Sequence, residues 1–162
     1  MPKISPFLWF DKNAEEAINF YIDVFKGSPS KDGADSEITH ITRYPGGYTE
    51  GPMADMEGKI LTAVFKLGGV QFMALDGGPI FKFTEATSFY VECADQAEID
   101  YFWGKLRFVP EAEQCGWLAD KYGLPWQIIP KNMEQLMTKN KAAMQAMLKM
   151  HKIVIADLEN AK

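Results

Sequence analysis

The sequence predicts an α+β fold built from two tandem βαβββ modules with C-terminal helices. Two observations support this: the second half of the chain repeats the pattern of the first, and each half opens with a β-like run that leads into an amphipathic helix. We expect residues 1–82 to form the first module, residues 83–130 the second, and residues 131–162 a helical tail. Because each module needs the other to bury its sheet face, we expect one domain over residues 1–162.

The internal repeat becomes visible when the sequence is shifted by 82 residues. Asn13 then falls on Asp95, and each is a residue type that caps a helix N-terminus, with a glutamate three residues later. Apolar residues follow at helical spacing in both copies: Ala17, Phe20, Tyr21 and Val24, then Ile99, Phe102, Trp103 and Leu106. The β-like runs before the helices are Ile4–Phe10 and Thr87–Cys93.

Three further strands are predicted in each half. Those of the first half are Ser36–Tyr44, Ile60–Leu67 and Val70–Leu75, and Gly68-Gly69 between the last two is a hairpin signal. The loop Pro45–Gly58 is either a mobile cover or a plain connection. Those of the second half are Cys115–Lys121, Trp126–Ile129 and a weaker strand within Phe108–Gln114, which contains Pro110.

The tail has a different composition from the modules. Helices are predicted over Met133–Lys139, capped by Asn132, and over Lys141–Met150, and Ile153–Leu158 reads as a docking segment. The tail concentrates five methionines, at positions 133, 137, 144, 147 and 150. A methionine-rich surface can bind a ligand or a partner, but packing on the sheet or on a second subunit is the favoured interpretation.

Composition narrows the classes of function. The net charge of −5 disfavours nucleic acid as a partner, because phosphate binding requires a basic face. Charged residues or glycine interrupt every long apolar run, so no membrane span is expected. The N-terminus lacks the apolar region of a signal peptide, which predicts a cytoplasmic location. Cys93 and Cys115 are expected to be free thiols.

Several motifs give the chain a family resemblance. They are Phe7-Leu8-Trp9-Phe10-Asp11 followed by Asn13-Ala14-Glu15-Glu16-Ala17, Phe20-Tyr21, Leu75-Asp76-Gly77-Gly78-Pro79, and Cys115-Gly116-Trp117-Leu118 through Trp126-Gln127. With these motifs the chain resembles the PhnB-like group, often described as 3-demethylubiquinone-9 3-methyltransferase domains, in the vicinal oxygen chelate superfamily of glyoxalases, bleomycin-resistance proteins and dioxygenases. The resemblance implies curved, mostly antiparallel sheets around a ligand cup, and a homodimer.

The resemblance also identifies the places where metal-dependent members hold a divalent ion with histidine and glutamate. Here the first strand offers Ser5, Phe7 and Trp9, the fifth offers Phe89 and the last offers Gln127. The strand Val70–Leu75 contains no acid or histidine. None of these is a strong ligand for a divalent ion. We therefore expect no metal and no cofactor.

Strand alternation selects the candidate ligand-binding residues. Phe7 and Trp9, His40 and Thr42, Phe89 and Val91, and Cys115 and Trp117 are expected to share faces in pairs. If those faces point inward, they form an aromatic cup with a few polar groups, suited to a flat or apolar small molecule. The alternative is that the aromatic side chains only fill the core. The predicted ligand-binding residues are Phe7, Trp9, His40, Thr42, Phe89, Cys115, Trp117 and Gln127.

Three functions remain open at this point. The favoured one is metal-free binding of a small aromatic or amphipathic molecule by a homodimer. The second is a glyoxalase- or dioxygenase-type metalloenzyme with a non-standard site that uses His40 and Asp76. The third is a partner-binding protein whose tail is the interface. A methyltransferase is not supported, because neither Gly46-Gly47 nor Gly77-Gly78 opens an apolar helix after a strand.

Overall fold

The computed structural model describes residues 1–139 and 141–162 and confirms the predicted α+β class, with one sheet of four strands and one of three. The chain divides into two compact units. Unit 1 comprises residues 1–27 and 31–82, and unit 2 comprises residues 28–30 and 83–162. In the described part of the chain, no helix is both long enough and apolar enough to cross a bilayer.

Unit 1 contains one α-helix and a four-stranded sheet. Its elements are β1 (Phe7–Phe10), α1 (Ala14–Lys26), a short 3-10 helix (Lys31–Ala34), β2 (Glu37–Arg43), β3 (Ile60–Leu67) and β4 (Val70–Asp76). The strand order is β1-β4-β3-β2, with β1 parallel to β4 and the other pairs antiparallel. Gly68 and Gly69 both adopt positive φ, as the predicted β3–β4 hairpin requires.

The core of unit 1 lies between α1 and one face of this sheet. Helix α1 contacts β3 and β4, and the strand residues on the covered face are almost fully buried. They alternate along the strands, as the two-residue period of a strand requires: Leu8 and Phe10, Ala63, Phe65 and Leu67, and Phe72 and Ala74. The intervening residues form the opposite face.

Helix α1 begins differently from the prediction. The side chain of Asn13 makes no capping hydrogen bond. Instead the buried carboxylate of Asp76, at the end of β4, accepts from the backbone N–H of Ala14 at 2.8 Å and from that of Ile60 at 2.9 Å. The helix is therefore capped by a residue that is distant in sequence, where a negative charge also favours the helix dipole.

Unit 2 contains a three-stranded sheet and the remaining helices. Its first elements are β5 (Phe89–Cys93), α2 (Gln96–Leu106), a 3-10 turn (Pro110–Ala112), β6 (Trp117–Ala119) and β7 (Pro125–Pro130). The strand order is β5-β7-β6, with β5 parallel and β6 antiparallel to β7. The cap predicted for α2 is present, because Asp95 accepts from the N–H of Glu98 at 3.0 Å.

The prediction of a strand within Phe108–Gln114 of the second module is wrong. Pro110 starts a 3-10 turn, and within residues 108–114 the only strand pairing described is a single bridge between Gln114 and Trp117. Cys115 and Gly116 join these two residues, both with positive φ, which is the geometry of a two-residue type I′ hairpin turn. Cys115 is therefore a turn residue, and the strand predicted to start there begins at Trp117.

Within residues 131–139 and 141–162, the tail contains three short helices: α3 (Met133–Lys139), α4 (Lys141–Leu148) and α5 (Ile155–Glu159). A small core joins the tail to the sheet through Ile129 of β7, Leu136, Ile153 and Leu158. Four of the five tail methionines pack around it: Met133, Met137, Met147 and Met150. The tail is thus an integral part of unit 2, and packing accounts for most of its methionines.

The tail also makes backbone contacts with the hairpin turn. The N–H of Cys115 donates to the carbonyl of Met150 at 2.8 Å, and that of Gly116 donates to the carbonyl of His151 at 2.7 Å. A Cβ atom at Gly116 would overlap the side chain of Ile129 and would be in tight contact with that of Ile153. The tail is therefore attached to the Cys115–Gly116 turn by backbone hydrogen bonds.

Candidate functional site

Four of the predicted ligand-binding residues lie on one face of the unit 1 sheet. The strand register places Phe7 beside Met73, Met73 beside Val64, and Val64 beside His40. In the next row Trp9 lies beside Leu75, and Thr62 lies beside Thr42. We call this the open face: Phe7, Trp9, His40, Thr42, Thr62, Val64, Met73 and Leu75, on the side of the sheet opposite α1.

The open face is accessible, in contrast to the helix-covered face. Phe7 is 49% exposed, His40 and Thr42 are exposed, and the other five residues are half-buried. Apolar side chains occupy β1, β4 and the middle of β3, and polar side chains occupy β2. The arrangement provides an apolar surface with hydrogen-bonding groups along one border.

Trp9 is held in place within unit 1. Its indole N–H donates to the carbonyl of Gly78 at 2.9 Å, and its ring meets Phe81 edge-to-face at a centroid distance of 4.9 Å. A Cβ atom at Gly77 would overlap the indole, so a glycine there allows the close approach. The N–H of Trp9 thus has its partner in the protein, and these contacts fix the orientation of the ring.

His40 lies on the edge strand β2, where its Nε2 is 3.2 Å from the hydroxyl oxygen of Thr42. Asp76, its partner in the metalloenzyme hypothesis, lies on the opposite face of the same sheet, since it pairs with Phe10 rather than with Phe7 or Trp9. Both carboxylate oxygens of Asp76 already accept backbone hydrogen bonds. The two side chains cannot bind one ion, and the non-standard site is therefore contradicted by the structure.

The other candidates lie in unit 2, where Trp117 and Gln127 are direct cross-strand neighbours on β6 and β7. Gln127 also pairs with Tyr90, and its Nε2 donates to the hydroxyl of Ser88 at 2.9 Å. Trp117 and Gln127 are half-buried and Tyr90 is 52% exposed. This group can offer an aromatic surface and the amide oxygen of Gln127 as an acceptor.

Phe89 and Cys115 do not join that group. Phe89 pairs with Trp126, which puts it on the face of the unit 2 sheet opposite Gln127, and the rings of Phe89 and Trp126 are 5.7 Å apart. The expectation that Cys115 and Trp117 alternate along one strand is wrong, because Cys115 lies in the turn. The internal repeat identified the right strand for Phe89 but not the face that carries the polar residues.

The thiol of Cys93 is buried at the end of β5. Burial, with further contributions from the nearby carboxylates of Glu98 and Asp95, raises the pKa of Cys93 to about 12. The thiol is therefore protonated at neutral pH and is not an activated nucleophile.

The carboxylate of Glu98, on α2, accepts several hydrogen bonds. It accepts from the backbone N–H of Ala94 at 2.7 Å, from the hydroxyl of Ser28 at 2.8 Å and from that of Ser30. Burial acts to raise the pKa of Glu98, but the hydrogen bonds from Ala94, Ser30 and Ser28 outweigh it and leave the pKa below its ordinary value.

The donor set for a metal ion is sparse. Over residues 1–139 and 141–162, no group of three or more histidine, cysteine, aspartate or glutamate side chains is arranged to hold an ion.

Sequence reasoning named the two ends of the open face but missed its centre, Val64, Met73 and Leu75. The two-residue alternation of β3 and β4 would have found these residues once the register was known.

A protein-family model for 3-demethylubiquinone-9 3-methyltransferase matches residues 2–129. The chain belongs to this family. None of the curated proteins matches the chain. The matched segment ends inside β7, so the tail, including the backbone contacts that it makes with the Cys115–Gly116 turn, lies outside the family match.

Two solved structures are similar to this chain. The PhnB protein from Bacillus cereus is 36% identical, with a TM-score of 0.61, over 80% of this chain and 99% of that chain. A protein from Pseudomonas aeruginosa is 21% identical, with a TM-score of 0.55, over 78% of this chain and 95% of that chain. The first supports the PhnB-like assignment, and the second is similar in fold alone.

Proposed function

We propose that this protein binds a small aromatic or amphipathic molecule on the open face without a metal ion, as a cytoplasmic homodimer. The supporting observation is the composition of that face. Phe7 and Trp9 provide aromatic surface, and His40 and Thr42 provide hydrogen bonds at the opposite border. Pockets for small molecules combine a mainly apolar lining with a few placed polar groups in this way.

The exposure of the apolar residues favours binding over a purely structural role. An aromatic side chain that only fills a core is buried, as Phe65 and Phe72 are on the helix-covered face. Phe7 is half-exposed although it lies on a strand that contributes two buried residues to the core. Apolar side chains that stay accessible on an ordered sheet are typical of a surface that meets a ligand or a partner.

The family description does not by itself make this chain a methyltransferase. Gly77 and Gly78 follow β4, but their backbone N–H groups donate to the carbonyls of Phe10 and Asp11, and Gly77 makes room for Trp9. Gly46 and Gly47 lie in the loop between β2 and β3. Neither pair opens a helix after a strand, which is the arrangement that a dinucleotide-type donor site uses.

The test is a ligand screen monitored by tryptophan fluorescence, with a metal analysis of the same preparation. Small aromatic and amphipathic compounds should change the emission of the native protein, and most of that change should be lost in Trp9→Phe. The matched control is Trp103→Phe, which removes a buried tryptophan of α2 and should retain the response.

Two results would contradict the proposal. A screen in which no compound changes the emission would remove the binding function, and a stoichiometric divalent ion in chelator-free protein would remove the metal-free mechanism. Light scattering coupled to size-exclusion chromatography tests the homodimer separately. A monomer at micromolar concentration would exclude that part.

A further inference from the structure

We infer that the ligand of the open face is an elongated, uncharged amphipathic molecule that lies across the strands, with its apolar end on Phe7 and Trp9 and a neutral hydroxyl or phenol at His40 and Thr42. This inference rests on the proposed function and specifies its substrate class. It follows from the order of side chains across the sheet, from the distance that this order spans, and from the charges at its border.

The order of side chains is fixed by the strand register. One continuous row runs from the ring of Phe7 on β1 through Met73 and Val64 to the imidazole of His40 on β2. Polarity therefore changes across the strands, from aromatic through aliphatic to hydrogen-bonding. A ligand of matching chemistry must lie perpendicular to the strands, because along any one strand of the row the character changes much less.

The length of the ligand follows from the same row. Neighbouring strands are about 4.8 Å apart, so the three spacings from β1 to β2 cover roughly 14 Å. A short aromatic alcohol would reach only one of the two ends. A phenyl ring joined to a hydroxyl through about six methylene groups would reach both.

The charge of the head group follows from the neighbours of His40. Lys66 lies two residues beyond Val64 on β3, but it forms an ion pair with Asp35 at 3.4 Å and pairs across the strands with Glu37. Lys66 is thus not available as an unpaired cation for a ligand carboxylate, and the negative charge of Glu37 would repel such a carboxylate. The imidazole and the hydroxyl of Thr42 both donate and accept, which suits a neutral hydroxyl.

The experiment is isothermal titration calorimetry with three phenyl compounds on the full-length protein. We expect 6-phenylhexanol to bind about tenfold more tightly than 3-phenylpropanol, and at least tenfold more tightly than 6-phenylhexanoate. The double variant His40→Leu/Thr42→Val should weaken the long alcohol about fivefold, the usual value of one or two hydrogen bonds. Glu37→Gln should strengthen the acid severalfold and leave the alcohol unchanged.

The outcomes separate the inference from the proposed function. If the long alcohol binds no better than the short one, or if the acid binds as well as the alcohol, the inference is wrong while the open face still stands as a ligand site. If the double variant binds the long alcohol with unchanged affinity, the assigned orientation is wrong. If none of the three compounds binds and the broad screen also finds no ligand, both the inference and the proposed function fail.

Discussion

Replacing Asp76 should destabilise the protein more than replacing Asn13, the residue that the sequence marks as the cap of α1. Asp76 is 1% exposed, and its carboxylate accepts from the N–H groups of Ala14 and Ile60 at 2.8 and 2.9 Å. It thereby joins the first turn of α1 to the start of β3 from the end of β4. Asn13 makes no side-chain capping bond.

The expected magnitudes follow from these contacts. A hydrogen bond to a charged group contributes about 1.5–3 kcal/mol, so Asp76→Ala should lower the free energy of unfolding by roughly 3–5 kcal/mol. Asp76→Asn keeps the volume but turns an NH₂ group towards one of the two donors, and it should cost about 2–3 kcal/mol. Asn13→Ala should cost less than about 0.5 kcal/mol, the usual size of an effect away from such features.

Asp95 supplies the matched control for the second helix. Its side chain does accept from the N–H of Glu98, so Asp95→Ala should cost about 1 kcal/mol, the typical value of an N-cap. The assay is urea denaturation followed by far-UV circular dichroism. The reasoning is refuted if Asn13→Ala destabilises the protein as much as Asp95→Ala does, or if Asp76→Ala is nearly neutral.

Three other expectations can be tested with single measurements. Native protein titrated with a thiol reagent at pH 8 should show one accessible cysteine, Cys115, while Cys93 reacts only after unfolding because it is buried and its pKa is raised; rapid modification of both would contradict this. The folded-state pKa of Glu98 is lowered, so its contribution to stability is present above the unfolded-state pKa and is lost as the pH falls through the folded-state pKa. Glu98→Gln should therefore flatten the dependence of the free energy of unfolding on pH below about pH 4.5. An unchanged slope in this acid range would exclude the effect. Gly116→Ala should destabilise unit 2 by about 2–4 kcal/mol, because the new Cβ would meet Ile128 and Ile129 and the alanine would have to adopt positive φ. The control Gly47→Ala adds only the backbone strain, about 1 kcal/mol. Equal melting temperatures for the two variants would show that the contacts with Ile128 and Ile129 do not matter.

The parts of the fold that the sequence predicted well are those fixed by local chemistry. The β3–β4 hairpin is specified by Gly68-Gly69, and a helix is present over the predicted range Met133–Lys139. These features depend on turn residues and helical periodicity, which act over a few neighbouring positions.

The parts that it predicted poorly depend on contacts between distant residues. Asn13 and Asp95 look equivalent in sequence, but the carboxylate of Asp76 supplies the cap at the first position. Cys115 fits an alternating strand pattern in the sequence. In the structure it lies in a turn, where its N–H donates to the carbonyl of Met150. Neither contact leaves a local signal, because the partners are tens of residues away.

The candidate site shows the same division. Alternation grouped Phe7 with Trp9 and His40 with Thr42, and the sheet places both pairs on one face. It could not choose between the two faces of the unit 2 sheet, since a one-residue offset moves a side chain to the other face. The prediction therefore grouped Phe89 with Gln127, although the structure places them on opposite faces of the sheet. It also missed Ser88, the hydrogen-bond partner of Gln127.

The hydroxyls of Ser28 and Ser30 have a consequence for how this architecture can be divided. These residues lie between two stretches of unit 1, yet they belong to unit 2 and supply donors to Glu98. A gene fragment that starts at codon 83 would encode a carboxylate deprived of two partners, and a fragment that stops at codon 82 would carry a serine pair without its acceptor. Exchanging the second half of the repeat for that of another protein would therefore require residues 28–30 to be transferred with it.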